Sequence, residues 1–259
     1  MNHKPVKITV ATVTYNAVGV LQRTLDSVAA QDYAHVEHLI IDGNSHDGTL
    51  ALFQHYQENN SRAGVIHEVN AISEPDKGIY DAMNKALAMA TGDYIVFLNA
   101  GDVFHSPDVL TRIAAAAGGM PAVIYGNTDI VDSEGRFVRH RRLAPPRRLT
   151  WHSFLHGMLV CHQAFFARCD IARTTPYNLR YRFSADYDWC IRIMRTAARR
   201  KLPMKNAGII VADYLDGGMT TQNHRRSLME RFRVMAHHYG IITAAAMHLW
   251  FVARAVVKK

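Results

Sequence analysis

The sequence predicts an α/β fold with a mostly parallel central sheet and helices on both of its faces. Short apolar runs typical of buried strands alternate with stretches whose apolar residues recur at a helical period. The clearest unit covers residues 79–102, where an amphipathic helix over 79–91 leads through Gly92 into the uncharged run 94–98. Strands separated by helices in this way pair in parallel, and their carboxyl ends meet at one edge of the sheet.

The other elements follow from the same periodicities, with small and polar residues between them. Strands are predicted at 7–15, 36–41, 65–72, 94–98 and 205–213, with a hairpin formed by 122–132 and 136–142. Helices are predicted at about 20–31, 49–56, 79–91, 107–117, 183–197 and 224–238.

Charge is unevenly distributed along the chain. Residues 1–120 contain 7 Lys and Arg against 13 Asp and Glu, whereas residues 121–259 contain 23 against 9. The acidic half suits a metal site, and the basic half suits a phosphorylated ligand or an anionic membrane face. No helix-turn-helix, zinc-finger or RNP-like pattern accompanies the basic charge, so we do not expect a nucleic-acid partner.

The three cysteines are odd in number and have no CxxC spacing, which indicates a reducing, cytoplasmic environment. Only residues 1–5 come before the apolar stretch that contains the first strand, and we therefore expect no signal peptide. The C-terminal stretch 241–257 is mostly apolar but shorter than the ~20 residues of a spanning helix. It either packs on the domain or lies in a membrane interface, with Trp250 and Phe251 in lipid and Lys258 and Lys259 at the headgroups.

Polar loops follow the first four predicted strands. They cover 14–16, 42–49, 73–78 and 99–102. Helix capping explains any single loop of this kind, but four at one sheet edge predict a nucleotide-sized site. The chain has neither GxGxxG after the first strand nor GxxxxGK[ST], so dinucleotide and P-loop sites lose their main support. Asp42 is suited to accept a hydrogen bond from a uracil or guanine N–H.

Four motifs in this order and spacing resemble family 2 glycosyltransferases of the GT-A fold. They are VTYN at 13–16, DGNSHDGT at 42–49, the stretch 73–102, and SADYDW at 184–189. The likeness covers roughly residues 6–220 and is greatest to bacterial enzymes that build exopolysaccharide or O-antigen units. It implies a GT-A domain over 1–220, with a nucleotide-binding half at 1–105 and an acceptor-binding half at 106–220. Residues 221–259 then form a helical tail.

The resemblance implies inverting transfer of a sugar from a nucleoside-diphosphate sugar, with UDP the expected nucleotide, assisted by Mn²⁺ or Mg²⁺. The expected acceptor is a lipid-linked oligosaccharide of cell-surface polysaccharide, handled by a cytoplasmic enzyme peripheral to the inner face of the membrane. The residues expected to bind the nucleotide sugar are Thr14, Tyr15, Asn16, Asp42, Gly43, Asp76, Lys77, Asn84, Asn99 and Asp102. Those expected near the acceptor or donor sugar are His162, Gln163 and Asp188.

One departure from the family pattern concerns the metal. The family carries Asp-x-Asp after the fourth strand, whereas this chain has Asn99-Ala100-Gly101 followed by Asp102. Asp102 is therefore the expected metal ligand. The weakened motif is also the support for a rival prediction, a catalytically inactive nucleotide-sugar-binding or scaffold protein on the same fold. A nucleotidyltransferase is disfavoured, because the loop after the first strand has no basic residue.

The catalytic base is expected in the second half of the chain, because the acids of the first half lie on the nucleotide side. Asp186 and Asp188 come at the N-terminus of a predicted helix, where the helix dipole favours the ionised carboxylate. Capping of that helix is the alternative role for either residue. The family likeness places the base at Asp186, and Asp188 stays the second candidate.

Overall fold

The computed structural model describes residues 4–60, 67–216 and 224–257, in which a curled mixed sheet is covered by helices. Its strands are β1 (Ile8–Thr14), β2 (Val36–Asp42), β3 (Glu68–Ser73), β4 (Tyr94–Phe97), β5 (Val103–Phe104), β6 (Val123–Val131), β7 (Phe137–His140), β8 (Phe165–Arg168) and β9 (Met204–Leu215). Its helices are α1 (Val18–Ala29), α2 (Thr49–Asn60), α3 (Ile79–Met89), α4 (Val109–Ala116), α5 (Cys169–Ala172), α6 (Ala185–Arg199), α7 (His224–Tyr239) and α8 (Ile241–Val257). Two 3₁₀ turns cover Trp151–His156 and His162–Ala164.

The sheet combines a parallel half with a mixed half. Its strand order is β3-β2-β1-β4-β8-β6-β9-β5, with β7 paired to β6. Strands β1 to β4 pair in parallel, as expected, and Thr14 lies opposite Asp42, which lies opposite Ser73. Strand β8 joins the halves by antiparallel pairing to β4 and β6. The predicted α/β fold and the β6–β7 hairpin are confirmed, and parallel pairing in the second half is confined to β6 and β9.

Both faces of the parallel half are covered, which explains its apolar strands. Leu39 and Ile41 of β2 belong to the large core that includes α3, whereas Ile40 packs in a smaller cluster with α1 and α2. Successive side chains of a strand point to opposite faces, so helices must cover both. Strand β4 is buried throughout.

Two polar residues inside β2 are buried because each has partners there. Glu37 accepts hydrogen bonds from the Thr9 hydroxyl and from the Thr91 backbone and side chain. His38 contacts Thr12 Oγ1 at 3.0 Å and the Tyr56 hydroxyl at 2.9 Å. Burial lowers the pKa of His38 to about 3, which keeps the ring neutral. Partnered in this way, the polar groups do not oppose strand formation.

The two C-terminal helices extend the core and also expose an apolar surface. Val234 and Met235 of α7 and Ala244 of α8 are fully buried in the main cluster. On the outer side of α8, Ile242 is 83% and Leu249 73% exposed. None of the helices that the structure describes has the length and apolar character of a bilayer-spanning helix. Lys258 and Lys259 lie outside the described residues.

Candidate active site

Two adjoining clefts lie at the carboxyl edge of the parallel strands. The first has a volume of about 690 Å³ and is lined by the ends of β1, β2 and β4, the loop before α3, and the start of α3. The second, about 280 Å³, is lined by α3, the 99–102 loop, the start of α6 and the end of β9. Ile79, Asn99 and Ala100 line both clefts, so a ligand in one is in reach of the other.

The first cleft contains five of the residues expected to bind a nucleotide sugar. Thr14, Tyr15, Gly43, Asp76 and Asn99 all line it. The aromatic ring of Tyr15 stands at its wall, with the residue 60% exposed.

Gly43 has a clear steric reason to be glycine. A Cβ atom at this position would lie 2.5 Å from Asp76 Oδ2 and 3.3 Å from the Tyr15 ring. Asp76 in turn accepts a hydrogen bond from the Gly78 backbone N–H at 2.7 Å. The small residue thus lets the carboxylate and the ring meet in the cleft wall.

Asp42, expected to bind the base, is not brought to the cleft by the structure. Asp42 is fully buried, does not line the cleft, and accepts hydrogen bonds from the Ser45 backbone and hydroxyl and the Ser73 hydroxyl. Its carboxylate is therefore occupied in holding the β2 and β3 loops together. The carboxylate that lines the cleft belongs to Asp76.

Three other expected residues lie outside the wall of both clefts. Asn16 shapes the loop, since its side chain accepts a hydrogen bond from the His46 backbone and its φ is +46°. Lys77 lines a separate depression with Tyr181. Asn84 binds the backbone N–H and C=O of Tyr177. Asn16 and Asn84 thus make local structural contacts, and neither side chain lines a cleft.

The second cleft contains Asp102, the expected metal ligand. Its Oδ2 accepts a hydrogen bond from Gln163 Nε2 at 2.8 Å, and its Oδ1 accepts one from the Leu215 backbone at 3.1 Å. Burial raises the pKa of this carboxyl, against the opposing effect of those hydrogen bonds. The Thr24 hydroxyl donates to the Asp102 carbonyl and accepts from the Gly101 backbone, which fixes the loop.

Asp186 lies across the second cleft at the start of α6, with its side chain 18% exposed. Its Oδ1 accepts a hydrogen bond from the Tyr80 hydroxyl at 3.2 Å, and its Oδ2 lies 3.3 Å from His162 Nδ1. His162 Nε2 is 3.1 Å from Asn99 Nδ2, which leaves Nδ1 facing the carboxylate.

The surroundings of Asp186 keep it ionised. Burial acts to raise the pKa of Asp186, but the hydrogen bond and charge of His162 outweigh it, and the pKa is lower than usual. Burial and the negative charge of Asp186 raise the pKa of Tyr80 well above its ordinary value. Tyr80 therefore keeps its proton and donates it in the hydrogen bond.

Asp188 is not brought to the site, contrary to expectation. It is 2% exposed, its Oδ1 contacts His238 Nε2 at 2.7 Å, and its Oδ2 accepts from Arg192 at 2.7 Å. Burial acts to raise the pKa of Asp188, yet these partners hold it below its usual value. Asp188 joins α6 to α7, and it lines neither cleft.

Glu230 of α7 is a supporting residue that sequence reasoning missed. Its carboxylate accepts hydrogen bonds from the backbone N–H groups of Arg182, Phe183 and Ser184. These residues lead into α6, so Glu230 fixes the position at which Asp186 enters the cleft. Nothing in the local sequence signals this role, because the contact spans more than 45 residues.

The residues around Asp102 fit a hard divalent cation. Asn99 Oδ1 and Gln163 Oε1 are buried with no hydrogen-bond partner within the described residues. Together with the Asp102 carboxylate they supply oxygen ligands of the kind that Mg²⁺ and Mn²⁺ prefer. Elsewhere, ligand atoms of His105, Asp129 and Asp213 lie within 4.8 Å of one another. That group is outside both clefts.

Comparison with known proteins identifies the family. The model of glycosyl transferase family 2 matches residues 9–175. A PGL/p-HBAD biosynthesis glycosyltransferase of Mycobacterium bovis is 31% identical over 253 residues, which is 95% of this chain and 92% of the relative. The chain therefore belongs to glycosyltransferase family 2 and is a glycosyltransferase.

Solved structures agree with the fold. TarS of S. aureus superposes with a TM-score of 0.67 at 15% identity, over 96% of this chain and 43% of the TarS chain. A shorter TarS chain in complex with UDP-GlcNAc gives 0.66 over 93% of this chain and 70% of its own. The mannosyltransferase PcManGT of Pyrobaculum calidifontis, in complex with GDP-Man and Mn²⁺, gives 0.63 at 16% identity, over 96% and 76%. The GT-A fold expected from the sequence is confirmed.

Proposed function

We propose that this protein transfers a sugar from a UDP-sugar to an acceptor hydroxyl with inversion at the anomeric carbon. The observation that carries the proposal is the pair of adjoining clefts, with Asp76 and Tyr15 in one and Asp186 and Asp102 in the other. The first cleft is large enough for a nucleotide, and a diphosphate bound against the shared wall at Asn99 and Ala100 would lie beside the acidic cleft.

The donor nucleotide occupies the first cleft in this proposal. Tyr15 offers an exposed ring on which a base can stack, and Asp76 offers a carboxylate that can accept a base N–H. UDP is the nucleotide present in the TarS complex, whereas PcManGT contains GDP-Man. We favour UDP, and direct competition between the two nucleotides tests that choice.

Asp186 serves as the general base. It accepts the proton of the acceptor hydroxyl while that oxygen attacks the anomeric carbon on the face opposite the leaving group. The new C–O bond forms as the bond to the diphosphate breaks, and its electron pair leaves with the diphosphate oxygen. Tyr80 and His162 orient the Asp186 carboxylate, and Asn99 orients His162.

A divalent cation, Mn²⁺ or Mg²⁺, would be held by Asp102 with the amide oxygens of Asn99 and Gln163. When bound, it would offset the negative charge that develops on the departing diphosphate. A single carboxylate is sufficient, because Mg²⁺ sites commonly use one or two carboxylates together with substrate phosphates.

A lipid-linked acceptor would explain the outer surface of α8. Ile242, Leu249 and Val252 are spaced along one exposed side of this helix. Arg225 and Arg226 of the preceding helix α7 are exposed as well. Such a surface suits the anionic inner face of a membrane, where the enzyme would be peripheral and cytoplasmic.

Nucleotide-sugar turnover tests the proposal against the inactive alternative. The protein should gain thermal stability from a UDP-sugar with Mn²⁺ and should release UDP over time. Proton NMR of the first product formed should show an anomeric configuration opposite to that of the donor sugar. Binding without turnover for every UDP- and GDP-sugar tried, with or without an acceptor extract, would support the scaffold function. Retention at the anomeric carbon would contradict the base assigned to Asp186.

A further inference from the structure

We propose that a cavity beside α6, apart from both clefts, binds a phosphate group. The cavity has a volume of about 540 Å³ and is lined by nine residues: four arginines, two histidines and three threonines. Among the described residues, no acidic and no apolar one lines it. Because every lining side chain can donate a hydrogen bond, the chemistry of the cavity is that of an anion site.

The arginines come from successive turns of one helix. Arg192, Arg195, Arg199 and Arg200 all belong to α6 or its end, and the histidines, His237 and His238, come from the end of α7. Two layers of the fold thus converge on the same space, which distinguishes this cavity from a single basic helix face.

The positive charge of the cavity is only half balanced. Arg192 pairs with Asp188 at 2.7 Å, and Arg200 pairs with Asp170 at 3.0 Å. Arg195 and Arg199 have no carboxylate partner in the part of the chain that the structure describes. Like charges four residues apart on a helix repel each other, so this arrangement has a cost that a bound anion would offset.

The guanidinium groups of Arg195 and Arg199 differ in how freely they can move. Arg195 lies over the Trp151 ring, 5.1 Å from its centroid, and contacts His238 Nδ1 at 3.3 Å, which holds it in place. Arg199 is exposed and donates a hydrogen bond to the Thr196 hydroxyl at 3.1 Å. Arg195 is thus a preset donor, whereas Arg199 can move onto a ligand.

Phosphate is the anion that this donor set fits best. Guanidinium groups bind phosphate oxygens through paired N–H donors, and threonine hydroxyls add single donors. The volume exceeds that of one inorganic phosphate, so the ligand is a diphosphate or a phosphate ester of a larger molecule. The carrier is either a soluble compound or a lipid headgroup, since α8 begins just after the cavity with the exposed residues Ile241 and Ile242.

Calorimetry with inorganic pyrophosphate at constant ionic strength tests the site. We expect saturable binding to the wild-type protein, at least tenfold weaker binding to Arg199→Glu, and a smaller loss in Arg199→Gln. Arg112→Glu is the matched control, because Arg112 is an exposed helical arginine with an (i, i+4) acidic partner and is not in the cavity. Its affinity should equal that of the wild type. Circular dichroism establishes that each variant is folded.

The proposal is overturned if the wild-type protein does not bind pyrophosphate. It is also overturned if wild type, Arg199→Glu and Arg112→Glu bind pyrophosphate with equal affinity. Binding to two sets of vesicles, one with phosphatidic acid and one with the same fraction of phosphatidylglycerol, identifies the source of the phosphate. Preference for phosphatidic acid that is lost in Arg199→Glu indicates a lipid phosphate monoester. Pyrophosphate binding without that preference indicates a soluble ligand.

Discussion

Asp186 and Asp188 are two residues apart on α6, yet one faces the second cleft and the other an internal ion pair. An α-helix turns by about 100° per residue, so these side chains leave the helix about 200° apart. The sequence predicts both residues at the start of the helix and does not determine which of the two faces the cleft. That choice depends on contacts from α7, chiefly through His238 and Glu230.

By lowering the pKa of Asp186, His162 should determine the pH below which the enzyme loses activity. Its hydrogen bond and charge lower the pKa of Asp186 against the effect of burial. In His162→Ala burial remains and the partner is lost, so we expect the pKa to rise and the acidic limb of kcat/KM to move to higher pH. At the optimum, the rate should fall modestly. A pH–rate series for the variant measures this.

His55→Ala is the control for that experiment, because His55 lies on the exposed side of α2 and bonds only to Asn59 among the described residues. Its profile should match the wild type. An acidic limb that does not move in His162→Ala would show that Asp186 is not governed by His162.

Gly43 should matter for nucleotide affinity more than for stability. In Gly43→Ala the added methyl group would displace the Asp76 carboxylate, which is the flexible end of a side chain. We therefore expect nucleotide affinity to fall several-fold while the melting temperature changes little. Gly19→Ala is the matched control, since no atom of the described residues lies within 4 Å of its added Cβ. Equal nucleotide affinity in both variants by calorimetry would remove Asp76 from the donor site.

At the level of elements, the sequence predicts strands and helices well where periodicity is strong. Strand β2 and helix α3 are close to their predicted bounds. The sequence does not predict strand β8, because its four residues are too few to show an alternation of apolar and polar side chains. Pairing direction in the second half could not be inferred either, since it is set by contacts between strands distant in sequence.

Helix α8 should mediate binding to anionic membranes. Leu249→Glu places a negative charge on its exposed side, and we expect reduced sedimentation with phosphatidylglycerol vesicles. The fold should persist, because Leu249 is 73% exposed. Leu50→Glu, a similar change on the exposed side of α2, should sediment like the wild type. Equal sedimentation of all three proteins would contradict a membrane role for α8.

At the level of the whole molecule, the position of the first cleft could be predicted from the sequence, because ligands of open α/β sheets bind beyond the carboxyl ends of the strands. The sequence could not determine the direction of individual side chains, which is why Asp42 proved to be internal and Asp76 lines the cleft. The second cleft needs β9, α6 and α7 to be brought to the end of β4, so most of its residues are fixed only by tertiary structure.

Cation binding should depend on the nucleotide, because the protein offers one carboxylate at Asp102. We expect weak Mn²⁺ affinity in the apoprotein and at least tenfold tighter binding when UDP is present, as measured by electron paramagnetic resonance. Asp102→Asn should remove most of that gain. His105→Gln is the control, since His105 belongs to the acidic group outside the clefts. Full turnover in excess EDTA would exclude a metal role.

The most direct test of the central claim is the turnover of Asp186→Asn beside Asp188→Asn. We expect Asp186→Asn to lose about 10²–10⁴-fold in kcat while nucleotide affinity stays near that of the wild type, because only the proton acceptor is removed. Asp188→Asn should instead lose stability, since it leaves the half-buried Arg192 and the buried His238 without their shared carboxylate partner. If Asp186→Asn keeps most of its turnover, Asp186 is not the base and the proposed mechanism is wrong.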